Sequence, residues 1–229
     1  MNKINFKNLK NQPFITLSFL SIQTTVFLLA YVFPSLLIEF RGSMFGPSIV
    51  FNQEFWRFVT PMFIHFGLMH FAVNSVVLYY MGQQVEAIYG HWRFFAIYLM
   101  SGVLGNLLSF AFNDPRVQSA GSSTALFGMF GAFAILGYHF KNNYAIQAMV
   151  RQFALFVALS FIFGMFDRSI DLLGHLGGLV GGILMGNLVG FPRRVGKTYS
   201  IHVKILSALI LIFIVGFCLF YGFMRYRNL

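Results

Sequence analysis

Seven long apolar runs, separated by short polar interruptions, constrain this chain more than any other feature. They fall at about Phe14–Phe33, Gly67–Gln84, Arg93–Phe112, Ser122–Tyr138, Ala148–Phe166, Leu172–Gly190 and His202–Met224. A bilayer core takes about 20 apolar residues of helix to cross. Lipid offers the backbone no hydrogen-bond partners, so such runs must satisfy their own N–H and C=O groups as helices. Composition agrees: only 10% of the 229 residues are charged, against roughly a quarter in soluble domains. The sequence therefore predicts an all-α membrane protein: a single transmembrane domain over residues 1–229, with a core at about 14–190 and a further C-terminal span at about 202–224.

Between the first two runs lies a long connection, about Pro34–Phe66, that is neither uniformly apolar nor highly charged. It carries Glu39, Arg41, Gly42, Pro47, Glu54, Trp56, Arg57 and Pro61, a mixture suited to a segment lying in the membrane interface. The first apolar run is long enough to span and lacks a small-residue cleavage site, so it reads as a span and not as a leader. The single cysteine, Cys218, sits within an apolar run and reads as a packing residue.

The net charge of +10 does not point to nucleic acid, because the basic residues stand between the apolar runs and not on one polar face. It points to topology. With the N-terminus cytoplasmic, the inner segments hold Lys3, Lys7, Lys10, Arg93, Lys141, Arg151, Arg193, Arg194, Lys197 and Lys204, and the outer ones hold Arg41, Arg57, Arg116, Arg168, Arg225 and Arg227. Ten against six favours this orientation, and places the C-terminus outside. Of the acids, only Glu86 falls inside; Glu39, Glu54, Asp114, Asp167 and Asp171 fall outside.

Orientation gives the polar residues within the spans a common depth. Such residues are costly in lipid and usually mark function. The second, fourth and sixth spans all run inward, so His70 and Asn74, then Ser122, Ser123 and Thr124, then His175, lie in the same outer layer. A lone serine in a span more often bonds its own helix, and a lone histidine more often packs. A hydroxyl, two imidazoles and an amide at one depth suggest chemistry. Gly174, Gly178, Gly182 and Gly186 recur every four residues below His175, with Gly177 and Gly181 beside them, and Gly128 and Gly131 lie below Ser123. Small residues at this spacing allow close approach of helices, which a short serine side chain needs in order to reach an imidazole nitrogen at about 2.6–3.2 Å. The N-terminus of the fourth span supplies free N–H groups, including that of Ser123, for a developing oxyanion; His70 and Asn74 add side-chain donors. With Asp167 and Asp171 in the outer loop, a Ser–His dyad is expected. His65 and His70 are joined by no acid or cysteine in a ligand pattern, so neither a metal nor a cofactor is expected.

These residues resemble the rhomboid family of intramembrane serine proteases, over most of the chain. The serine motif is matched by Gly121-Ser122-Ser123-Thr124 followed by Gly128 and Gly131, and the histidine motif by His175, Gly178 and Gly182. His65, His70 and Asn74 match the second-span pattern, Trp56-Arg57 the first-loop pair, and Gly82 to Gly90, through Glu86, the G-x-x-x-E-x-x-x-G pattern. The resemblance implies a six-helix core, here with a seventh span, and a cavity behind the first loop and a mobile fifth span. It implies Ser123 as nucleophile, His175 as base and His70 with Asn74 at the oxyanion. His65, Trp56 and Arg57 would shape the loop, and Glu86 would tie helices at the cytoplasmic end. The implied substrates are single- or multi-span membrane proteins cleaved near the outer surface; the bilayer is a partner, nucleic acid is not, and the oligomeric state stays open. Two positions depart from the pattern. Thr124 replaces a glycine with a stiffer, bulkier residue, and Phe127 stands where some relatives carry a tyrosine that packs on the histidine, keeping the ring without the hydroxyl. Thr124 motivates a second reading, a catalytically silent rhomboid-like protein that binds membrane clients. A channel is a third, disfavoured by the apolar inner halves of the fourth and sixth spans.

Overall fold

Each apolar run becomes a helix, and the polar residues between them close the turns. The structure, a computed structural model, describes residues 12–166, 170–192 and 200–227. Lys3, Lys7, Lys10, Asp167, Arg168, Arg193, Arg194 and Lys197 lie outside the described residues. Nine α-helices are described: α1 (Phe14–Val32), α2 (Ile38–Gly42), α3 (Gly46–Asn52), α4 (Leu68–Tyr89), α5 (His91–Phe112), α6 (Ser123–His139), α7 (Tyr144–Phe166), α8 (Leu172–Val189) and α9 (Ile201–Arg227). No strand occurs among the described residues, and one isolated antiparallel bridge joins Met44 to Ser119. Five helices, α1, α5, α7, α8 and α9, are long and apolar enough to cross a membrane; α6 is apolar but has 17 residues. Together these helices make a multi-pass helical membrane bundle.

Two boundaries differ from the sequence reading. The second span does not stop at Gln84 but continues as α4 to Tyr89. Its polar end is sheltered, because buried Glu86 accepts from Ile15 N and Thr16 N (2.8 Å each) and from Thr16 Oγ1 (2.6 Å). The start of α1 thus has its free N–H groups met by a carboxylate from another helix, where both hydrogen bonding and the helix dipole favour it. Likewise α7 begins at Tyr144, earlier than Ala148.

The glycines of α8 make two faces where the sequence suggested one groove. A Cβ on Gly177 or Gly181 would stand 2.9 Å from Gly105 Cα or Ser101 Cα of α5. Side chains on Gly178 and Gly182 would run into the carbonyl oxygens of Thr124 and Gly128 on α6. So α8 is wedged backbone to backbone between α5 and α6. By contrast, α7 leans on α6 mainly through aromatic contacts, with Phe153 set 5.7 Å from Phe130 and 4.7 Å from Phe133 between ring centroids.

The first connection is a folded unit holding α2, α3 and two short 3-10 turns that follow them. Buried Arg57 pins it: Nη1 donates to Phe40 O (2.9 Å) and Ser43 O (2.6 Å), and Nε to Glu54. Trp56 is exposed and donates from Nε1 to Arg41 O (3.3 Å). The last helix, α9, ends against this unit, Tyr226 stacking on Phe110 of α5 at 5.3 Å beside α3.

Candidate active site

Helix α6 begins at Ser123, and the turn before it is tightly specified. Gly121 has φ +125°, a conformation that disfavours any side chain, and donates its N–H to Pro61 O (2.9 Å). Space requires glycine as well, since a Cβ there would lie 2.6 Å from His70 Nε2 and 3.5 Å from Asn74 Nδ2. Both side chains of α4 therefore converge on the loop that presents the serine.

The two serines have different partners. Ser122 is fully buried; its hydroxyl lies 3.3 Å from His65 Nε2, and its N–H is 3.4 Å from the same nitrogen. Ser123 is half-buried, and its hydroxyl lies 2.9 Å from His175 Nε2, within the reach that general-base activation needs. With Nε2 as acceptor, Ser123 Oγ–H is the donor. His175 Nδ1 meets no partner among the described residues, so the pair is a dyad in geometry. The imidazole is oriented by packing instead: Phe127, one turn along α6, stacks on it at 4.2 Å with planes 10° apart, and Phe161 of α7 meets its edge at 6.4 Å.

Donors stand at the loop that presents the serine. The N-cap Ser122 makes no side-chain cap on α6, which leaves first-turn N–H groups available. Asn74 Nδ2 is buried with no partner among the described residues. A buried, unpaired amide donor is costly to keep, and this one points toward Gly121. His65 packs edge-on to His70 at 5.2 Å; burial, and then the neighbouring His70 ring, push its pKa down to about 3. His65 is thus neutral at ordinary pH, and its contacts are with the buried serine, not only with the first loop.

Thr124 takes ordinary helical backbone within α6, so no glycine conformation is needed there. Its bulk has a place: Gly105 of α5 leaves room for it, and a Cβ on Gly105 would come 2.8 Å from Thr124 Cβ. A threonine on α6 is matched by a glycine on α5, and Thr124 packs into that interface.

One residue at this end is more than a loop acid. Asp171 is the N-cap of α8, accepting from Gly174 N (2.7 Å), and takes hydrogen bonds from Ser109 Oγ (2.6 Å) and Ser119 Oγ (2.8 Å). An aspartate just before an apolar run is an N-cap signal, and that signal could have found it. Gly178 and Gly182 carry the contact with α6 described above. Glu86, Trp56 and Arg57 stand away from the dyad, in the contacts given for the fold.

Comparison with known proteins gives a consistent picture. A Rhomboid domain model matches residues 52–192. The chain is 35% identical over 176 residues to "Rhomboid protease GluP" of Bacillus subtilis, covering 76% of this chain and 33% of that protein. It is 32% identical over 152 residues to "Rhomboid-like protease 3" of Toxoplasma gondii, covering 63% and 55%. It is 32% identical over 159 residues to "Rhomboid-type serine protease 2" of Emericella nidulans, covering 66% and 31%. The chain thus spans between a third and about half of the length of these curated relatives.

Proposed function

The chain belongs to the rhomboid family, and from that premise we propose that it is an intramembrane serine endopeptidase working through a Ser123–His175 dyad. The observation that carries this reading is the 2.9 Å contact between Ser123 Oγ and His175 Nε2, on helices that glycines allow to touch. His175 Nε2 takes the hydroxyl proton as Ser123 Oγ attacks the scissile carbonyl. The new oxyanion is held by Ser123 N–H, by Asn74 Nδ2 and by His70 Nε2 in its protonated tautomer; donors set in advance around the developing charge act most strongly where water is excluded. His175 then gives its proton to the leaving amine, and water, deprotonated by the same imidazole, releases the acyl group from Ser123. Phe127 keeps the ring in plane during both transfers.

The substrates are transmembrane proteins in the bilayer, cut near the outer surface, with the N-terminus of this chain cytoplasmic and its C-terminus outside. The positive-charge bias supports that orientation. The silent client-binding reading rested on Thr124, and the fit of that residue against Gly105 removes its motive.

The test is cleavage of a single-span substrate by vesicle-reconstituted protein. Wild type cuts it; Ser123→Ala and His175→Ala do not. Cleavage by both variants at the wild-type rate would end this reading.

A further inference from the structure

Outside the dyad, the most heavily bonded polar side chain at this end of the bundle is Asp171. A carboxylate offers about four acceptor positions, and four donors meet this one. Oδ1 accepts from Gly174 N (2.7 Å) and Asn113 Nδ2 (3.3 Å), and Oδ2 accepts from Ser109 Oγ (2.6 Å) and Ser119 Oγ (2.8 Å). Those donors come from three places: α8, the last turn of α5 with the residue beyond it, and the loop that leads into Ser123. The carboxylate therefore has no acceptor position left for a hydrogen bond from His175 Nδ1. It is also tied to both elements of the dyad through backbone. Asp171 O accepts from His175 N (3.0 Å), and Ser119 lies four residues before Ser123.

Ser119 is itself a junction. Its backbone pairs with Met44 of the first loop, Met44 N to Ser119 O at 2.8 Å and Ser119 N to Met44 O at 3.1 Å, while its side chain goes to Asp171. Asn113, the other loop-side donor, is held from α9: Arg225 Nη1 donates to Asn113 O (2.7 Å) and Ala111 O (3.0 Å). One carboxylate thus fixes the nucleophile loop, the base helix and, through Asn113, the seventh span against one another.

Resting on the proteolytic reading above, we propose that Asp171 is a positioning residue that sets the register between Ser123 and His175 by clamping Ser119 to the start of α8. The geometry of proton transfer is steep in distance, and a misplacement of about 1 Å can cost about 10²-fold in rate. Losing the clamp slows the chemical step while leaving substrate binding in place.

The experiment measures, on the full chain in vesicles, the rate at which a fluorophosphonate probe labels Ser123, with kcat and KM on a single-span substrate and the folded fraction. The proteins are wild type, Asp171→Asn, Ser119→Ala and the double variant. Ser119→Ala keeps both backbone bonds to Met44 and the α8 cap, so it leaves the fold intact. We expect it to lower labelling and kcat about tenfold, and Asp171→Asn to lower them about 10- to 100-fold, with KM within about twofold. The double variant falls no further than Asp171→Asn, because both act through one link. Wild-type labelling by either single variant overturns the assignment, as do losses that multiply in the double variant or that vanish once corrected for the folded fraction. A wild type that fails to label overturns the proteolytic reading itself, and this assignment with it.

Discussion

Helices α8 and α7 are both apolar spans, but they are held in opposite ways. α8 is clamped by backbone contact on two faces, through Gly177 and Gly181 to α5 and through Gly178 and Gly182 to α6. None of the apolar stretch of α7 is buried, against 67% of that of α5. Close-packed interiors transmit displacement and tolerate little added volume, so chemistry that depends on a 2.9 Å contact belongs on α8. In the proposed protease the lightly packed α7 wall is where a membrane substrate would enter, opposite the tightly packed side that holds the dyad.

The most severe way to break this contrast is to add volume at the α8–α6 contact. Gly182→Val forces a branched side chain into the Gly128 carbonyl; we expect a loss of about 3 kcal/mol in stability, read by denaturant unfolding in mixed micelles, and loss of probe labelling. A volume change on the lipid side of α7, such as Met165→Ala at a position 74% exposed, should stay within about 0.5 kcal/mol. Equal effects at the two sites would erase the distinction.

Next in size is Glu86→Gln, which tests whether α1 is fixed by one group. The buried carboxylate meets three donors at the start of α1. Removing its charge should cost about 1.5–3 kcal/mol, the range for hydrogen bonds to charged groups, while labelling of the folded fraction stays near wild type because α1 does not touch the dyad.

A smaller effect is expected at the histidine's stacking partner. Phe127→Leu removes a ring contact worth about 0.5–1.5 kcal/mol, so kcat should fall about tenfold or less with KM little changed. Phe127→Tyr should retain activity. If Phe127→Leu behaved as wild type, the imidazole would have to be oriented by α7, and the frame and the wall would have exchanged roles.

Much of the architecture is legible in the amino-acid sequence. Each apolar run is a helix, five of them long and apolar enough to cross a membrane, and the serine and histidine singled out in the sequence stand 2.9 Å apart. What the sequence hides is instructive. The last turn of α4, beyond Gln84, is left out of the span because Glu86 is polar, yet a polar helix end is tolerated when another helix terminus supplies its partners, and the start of α1 does. The glycines of α8 read as one stripe because spacing along a helix does not say how many neighbours it has. Thr124 looks like a defect because its compensation, Gly105, lies on another helix 19 positions earlier in the sequence. Asp171 looks like a loop residue by its charge, although an acid preceding an apolar run is as readily a cap. In each case the missing information is the identity of a partner distant in sequence.

The proposed mechanism makes Ser123 the activated nucleophile and Ser122 a buried neighbour, 3.3 Å from His65 Nε2. Peptide mass mapping of the fluorophosphonate adduct on wild type, Ser122→Ala and Ser123→Ala tests that directly. The adduct is predicted on Ser123 in wild type and in Ser122→Ala, and absent from Ser123→Ala. An adduct on Ser122, or undiminished modification of Ser123→Ala, would contradict it.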